Sequence, residues 1–127
     1  MIIDTSALLA ILRDESDAAA YAEAMQRVDR RRLSAVSYVE TAVVVDGSRD
    51  PVASPGFDEL SQRARSSLTR SQRTRHGSPV RTRPGQRARG EIELCDCFAY
   101  ALAKGTGEPL LFKGKDFAHT DVKQALP

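Results

Sequence analysis

The chain opens on Met1 to Asp4, a short β-branched apolar run closed by a carboxylate, and Ser6 to Arg13 (SALLAILR) then carries apolar residues on all sides. That pattern predicts a buried strand feeding a buried helix. Asp17 to Val28 (DAAAYAEAMQRV) is rich in alanine and spaces Tyr21, Met25 and Val28 as a helix does. An amphipathic helix is expected there, ended by a polar, arginine-rich turn. Leu33 to Val36 is a second short strand in pattern, and Ser37 begins SYVETAVVVD. Its Ser37-x-x-Glu40 spacing is that of a capping box, which predicts a third helix starting at Ser37. Asp96 to Lys104 (DCFAYALAK) is helical in pattern and stops at Gly105, where glycine can take the left-handed conformation. Pro109 to Phe112 (PLLF) reads as a third strand, and Lys113 to Phe117 as a turn towards a last short helical or irregular segment. Strands and helices alternating in this order imply an α/β/α sandwich about a central parallel sheet.

The middle of the chain breaks the pattern. Asp46 to Pro55 is turn-rich, and Phe57 to Leu60 begins what reads as another helix. Between Ser61 and Gly90 the only apolar residues are Ala64, Leu68, Val80 and Ala88, without period, and Gly77, Pro79, Pro84, Gly85 and Gly90 interrupt them. So few apolar groups cannot offset an ordering cost of about 1 to 2 kcal/mol per residue, and disorder or irregular loop is the expectation.

Composition changes the picture mainly through charge. The 127 residues make one domain, 1–127, able to bury a core without a disulfide framework. No apolar run approaches the roughly 18 residues of a membrane span, and Met1 leads directly into the first strand, so the chain reads as cytoplasmic with no membrane partner. Cys95 and Cys97 have no second cysteine pair and no suitably spaced histidines, which leaves two reduced thiols as the simplest reading. His76 and His119 likewise have no paired ligand spacing. The net charge of +2 conceals an asymmetry: residues 61–90 hold nine arginines (63, 65, 70, 73, 75, 81, 83, 87 and 89) and no acid. The rest keeps ten Lys and Arg against all seventeen acids, a net of about −7, which repels phosphate unless cations neutralise it.

Four acids then stand out. In the predicted elements Asp4 ends the first strand, Glu40 lies in the first turn of the helix after the second, Asp96 opens a helix, and Asp116 follows the third strand. Ligands collect at the carboxyl edge of an open parallel sheet, so these acids can converge on one cleft and hold a hard cation. Each acid alone also suits a helix N-terminus, where a carboxylate satisfies free N–H groups and the dipole. The capping box by itself accounts for Glu40. Four acids at one topological address are harder to assign to capping alone.

The opening MIIDTSALLAIL looks like the first strand and helix of a PIN domain, AVSYVETAVVV resembles the segment with its second acid, and DCFAYALAKGTGEPLLFKGKDFAHTDV is similar to the C-terminal block of the VapC toxin family. These blocks cover residues 1 to about 60 and 96 to 122. The resemblance implies a PIN-like three-layer fold and a Mg²⁺- or Mn²⁺-dependent endoribonuclease, the toxin of a toxin-antitoxin system. It implies RNA as substrate, a cognate VapB-type antitoxin as partner, and a homodimer. Position by position, Asp4, Glu40, Asp96 and Asp116 fall on the family's acidic quartet, with Asp4 and Asp96 as principal metal ligands. Thr5 and Ser6 fall on the small hydroxyl residues after its first aspartate, where they can bind a carboxylate or the substrate phosphate, or serve only as turn and cap.

The chain departs from the family in its middle section, about 61–94, where a helix, a strand and a further amphipathic helix are usual, and it lacks the glycine customary before the third aspartate. Ser, Arg, Thr, Pro and Gly dominate residues 61–90, as when a GC-rich gene is read out of frame. A frameshift near codon 60, restored near codons 90 to 95, accounts for this. The rival reading makes the nine arginines an RNA-binding arm, although aromatic residues that would stack bases are absent there. Lys113 and Lys115 read as a solvated turn or as phosphate contacts. Other functions remain in view. A catalytically impaired relative could only bind an antitoxin or RNA. A phosphotransferase with Asp4 as nucleophile is disfavoured by Ser6, where that chemistry commonly has an acid, and a receiver module by the missing acidic pair before Asp4.

Overall fold

A computed structural model describes residues 1–48, 53–64 and 94–126. The elements run β1 (Ile2–Ile3), α1 (Thr5–Leu12), α2 (Ala18–Gln26), β2 (Arg32–Leu33), α3 (Ala35–Ser48), α4 (Ala53–Ala64), α5 (Leu94–Thr106) and β3 (Leu110–Leu111). The strands form one parallel sheet in the order β2-β1-β3, with Ile2 opposite Arg32 and Leu110, and Ile3 opposite Leu33 and Leu111. The C-terminal segment covers the outer edge of β3: Leu110 N donates to Lys123 O at 2.8 Å and Ala125 N to Leu110 O at 2.9 Å.

Side chains alternate across a strand, so this register sorts the apolar residues onto two faces. Ile3, Leu33 and Leu111 join one core with residues of α1 to α4, among them Leu8, Tyr21, Met25, Val45 and Phe57. Ile2 and Leu110 join another with Ala99 and Ala103 of α5 and with Phe117. The expected α/β/α layering is therefore present, with α5 on one face and the other helices opposite. Both residues of β1 are fully buried, each contributing about 1.5 to 3 kcal/mol of apolar burial. That explains why so short a strand reads as an unbroken apolar run in the sequence. Among the described residues no helix is long and apolar enough to cross a membrane.

Several boundaries differ from the sequence expectation, each for a local reason. The second strand ends at Leu33 and not at Val36, because Ser34 caps α3: Ser37 N donates to Ser34 Oγ at 2.9 Å and the two hydroxyls lie 2.8 Å apart. The helix thus starts two residues before Ser37, and Ser37 occupies its third position. At the C-terminal end of α5 the left-handed residue is Gly107 (φ +70°), not Gly105, and its N–H reaches Ala103 O at 2.8 Å. The helix continues through Gly105 to Thr106, whose hydroxyl donates to Leu102 O at 2.8 Å. In the middle, α3 extends to Ser48 and α4 begins at Ala53, so Pro55 stands in a helix's first turn, where it is tolerated. Helix α4 also takes up Ser61 to Ala64, with Ser61 completing a buried stripe with Ala53 and Phe57. The rest of the arginine-rich segment expected to be irregular, including His76, lies outside the described residues.

Candidate active site

Asp4 is placed by β1 and α1 together. Its amide donates to Leu111 O at 2.9 Å, tying it to β3, and its carboxylate caps α1 by accepting from Ser6 N at 3.0 Å and from Ser6 Oγ at 2.6 Å. The residue is only 3% exposed. Burial raises its pKa above the ordinary 3.8, the negative charge of Glu40 pushes the same way, and the Ser6 bonds oppose both.

Glu40 reaches this corner because the Ser34 cap fixes where α3 begins and Thr41 reinforces its first turns, donating from Oγ1 to Ser37 O at 2.7 Å. The capping box expected for Glu40 does not form, since its partner position is one turn into the helix. Thr5 Oγ1 instead lies 2.7 Å from Glu40 Oε2, with Ser37 O a longer second acceptor at 3.4 Å. Of the alternatives open to Thr5 and Ser6, the structure thus shows carboxylate contacts: Thr5 holds Glu40 and Ser6 holds Asp4.

Asp96 lies in the first turn of α5, half-buried, two residues after the helix begins. Its charge adds to burial in raising the neighbouring Cys97 thiol, and both cysteines remain thiols. Asp116 is exposed in the turn after β3, beyond Gly114, whose φ of +99° favours glycine. Helix α5 leads into β3 and packs on β1 and α3, which puts its N-terminal end towards the carboxyl edge of the sheet. Asp4 and Glu40 are brought together there. Asp96 and Asp116 reach the same edge without joining them in one cluster: among the described residues no three of His, Cys, Asp and Glu stand close enough to hold a metal ion.

Lys113 is partly exposed but ion-paired rather than simply solvated. Its Nζ lies 2.5 Å from Glu15 Oε2 and 2.6 Å from Asp17 Oδ1, which together hold it protonated well above the usual lysine range, and its backbone N donates to Ser6 Oγ at 3.0 Å. Sequence reasoning passed over Glu15 and Asp17. The available signal was the acidic run at 14–17 straight after α1, since carboxylates at a helix C-terminus oppose the dipole unless a cation meets them. His119 and Lys115 are exposed on the same C-terminal turns.

Comparison with known proteins identifies the family. Residues 1–123 match the PIN domain model. VapC ribonuclease Mb0625 of Mycobacterium bovis and ribonuclease VapC28 of Mycobacterium tuberculosis are each 47% identical to the chain over 131 residues, covering 99% of it and 98% of the relative. Ribonuclease VapC30 of Mycobacterium tuberculosis is 42% identical over 134 residues, covering 100% of both chains. The similarity therefore spans the middle of the chain as well as the two blocks at its ends. A parallel sheet between helices, a buried aspartate closing its central strand, and a match over nearly the whole length together make this chain a member of the PIN-domain family.

Proposed function

We propose that the chain is a metal-dependent endoribonuclease, the toxin of a VapBC-type toxin-antitoxin pair, cleaving phosphodiester bonds in RNA. The observation that carries this is the Asp4–Glu40 corner: a buried carboxylate kept beside a second one by dedicated hydroxyl donors. Burial raises the Asp4 pKa, the charge of Glu40 adds to it, and a bound cation would offset both. The donor set is all oxygen, which suits Mg²⁺ or Mn²⁺, ions content with one or two carboxylates, retained waters and substrate phosphate. The near full-length relatives named as ribonucleases supply the substrate class.

In this reading Asp4 and Asp96 would hold the principal ion, and Glu40 and Asp116 would complete its shell or orient the attacking water. A bound divalent ion supplies an acidified water and neutralises charge developing on the phosphate oxygens. The chain's own part is to aim the carboxylates: Ser6 fixes the Asp4 carboxylate through two hydrogen bonds, and Thr5 directs Glu40 towards it. A VapB-type antitoxin is the proposed inhibitor and the cytoplasm the proposed compartment. A homodimer is supported by Val39 and Val43, one turn apart on α3 and 57% and 66% exposed, which offer an apolar surface to a second copy.

The experiment is RNA cleavage by the purified chain with and without Mg²⁺, beside Asp96→Asn, which is nearly isosteric and uncharged. Cleavage is expected to require Mg²⁺ and to be abolished in the variant while its circular dichroism stays unchanged. Undiminished cleavage by folded Asp96→Asn removes Asp96 from the site. A second reading, a catalytically impaired relative that only binds antitoxin or RNA, draws on the composition of residues 61–90. It is favoured if the folded chain binds RNA without cutting it.

A further inference from the structure

Lys113 sits where three parts of the molecule meet. It follows β3 and precedes the turn of Asp116, its side chain crosses to the connection between α1 and α2, and its backbone N–H points at Ser6. Ser6 Oγ accepts that N–H at 3.0 Å and donates its own proton to Asp4 Oδ2 at 2.6 Å. A hydroxyl has one proton to give, so accepting from Lys113 leaves it committed to Asp4. Glu15 and Asp17 are about 34% and 40% exposed and Lys113 33%, so each contact alone is modest; two acceptors on one ammonium fix the direction of the lysine stem and with it the backbone at 113. Asp17 occupies the N-cap position of α2 yet makes no side-chain cap, giving its carboxylate to Lys113 instead.

We propose that Lys113 is a positioning residue for the Asp4 carboxylate, acting through its own backbone N–H and the Ser6 hydroxyl, with Glu15 and Asp17 as the clamp that holds it. The proposal rests on Asp4 being a cation ligand. It makes a prediction opposite in sign to simple electrostatics. If Lys113 mattered only as a positive charge near the carboxylates, removing it would strengthen cation binding. As a positioning residue, its removal lets the 113 backbone and Ser6 drift, and cation binding weakens, as it does when outer hydrogen-bond partners of metal ligands are lost.

The test measures Mn²⁺ binding directly, without RNA, by electron paramagnetic resonance of the free ion and by calorimetry. The set is the wild type, Asp4→Asn, Lys113→Met, Lys113→Arg, Ser6→Ala and the double variant Lys113→Met/Ser6→Ala, each checked by circular dichroism. Lys104→Met serves as control, because Lys104 is also ion-paired, to Asp121, on the C-terminal turns of α5. Expected is Mn²⁺ binding by the wild type that Asp4→Asn removes, an affinity about tenfold weaker in Lys113→Met and in Ser6→Ala, and recovery to within about twofold in Lys113→Arg. The double variant should be no weaker than either single one, since both act on one path, and Lys104→Met should bind as the wild type does. Unchanged or tighter binding by folded Lys113→Met, or additive losses in the double variant, overturn the proposal while leaving the cation site standing. A wild type that takes up no Mn²⁺ overturns the cation site and this proposal with it. Should Lys113→Met not fold, Ser6→Ala decides: unchanged affinity in that folded variant overturns the relay through Ser6.

Discussion

Asp4 and Glu40 on one side, and Asp96 and Asp116 on the other, are the same two residue types drawn to the same sheet edge, yet they live in different surroundings. Asp4 is buried, and every step towards it is hydrogen-bonded: Leu111 O receives its amide, Ser6 donates to its carboxylate, and Thr5 holds Glu40. Asp96 is half-buried in a helix's first turn and Asp116 is exposed in a turn. Asp4 is costly to keep ionised, and its carboxylate is fixed by Ser6 before any ligand arrives. Asp116 is open to water, and Asp96 is partly so. Burial without a cation is a strain on stability, whereas exposure is not, so the two pairs should respond differently to neutralisation.

The largest effect is expected from Asp4→Asn, which should cost at least about a hundredfold in Mg²⁺-dependent RNA cleavage while making the metal-free protein more stable. A gain of about 1 kcal/mol raises the unfolding midpoint of a domain this size by roughly 4 °C. The pH dependence carries the same sign. Because the folded state binds the Asp4 proton more tightly than the unfolded chain, stability contributed by this group falls as pH rises from about 3.8 through its raised folded value. In thermal unfolding with chelator present, the wild type should therefore lose ground to Asp4→Asn across that window. A variant less stable than the wild type at neutral pH would show that Asp4 is not under strain.

Thr5→Val comes next. It keeps the shape but removes the donor to Glu40 Oε2, and is expected to slow cleavage about tenfold and to cost about 1 kcal/mol in chemical denaturation. Equal activity would mean that Glu40 needs no guide. Asp116→Asn sharpens the contrast from the exposed side: its stability should stay within about 0.5 kcal/mol of the wild type, and its Mn²⁺ affinity should fall less than in Asp4→Asn. A loss as large as that of Asp4→Asn would erase the distinction between the pairs. The smallest effect is expected from replacing Arg70, Arg73 and Arg75 together with Ala. If the arginine-rich segment has an accidental origin, RNA affinity and its salt slope at fixed Mg²⁺ should not change, and a weaker, flatter salt response would identify an RNA-binding arm.

What could be read from the sequence was what depends on short-range pattern. The apolar run before Asp4, the helices at Asp17 to Val28 and at Asp96 to Lys104, and the parallel α/β order all follow from period and chain order, and they appear in the structure with shifted ends. The ends shifted where two local signals competed. Ser34 and Ser37 both qualify as caps, and in the structure β2 ends at Leu33 and Ser34 takes the role. Gly105 and Gly107 both qualify as stops, and the left-handed conformation falls on the second.

The chain by itself determined which acids exist and that Asp4 and Asp116 follow strands and Asp96 lies in a helix's first turn, whereas Glu40, expected in the first turn of its helix, is the sixth residue of α3. Only the tertiary structure decided which of them meet. Thr5 and Glu40 are 35 residues apart, and Lys113 and Glu15 are 98 apart. Such pairs leave no periodic trace in the sequence, because a hydrogen bond or ion pair between distant residues depends on the rotation of one helix against another. That rotation is set here by the Ser34 cap and by the packing of Ile3, Leu33 and Leu111 on one face of the sheet.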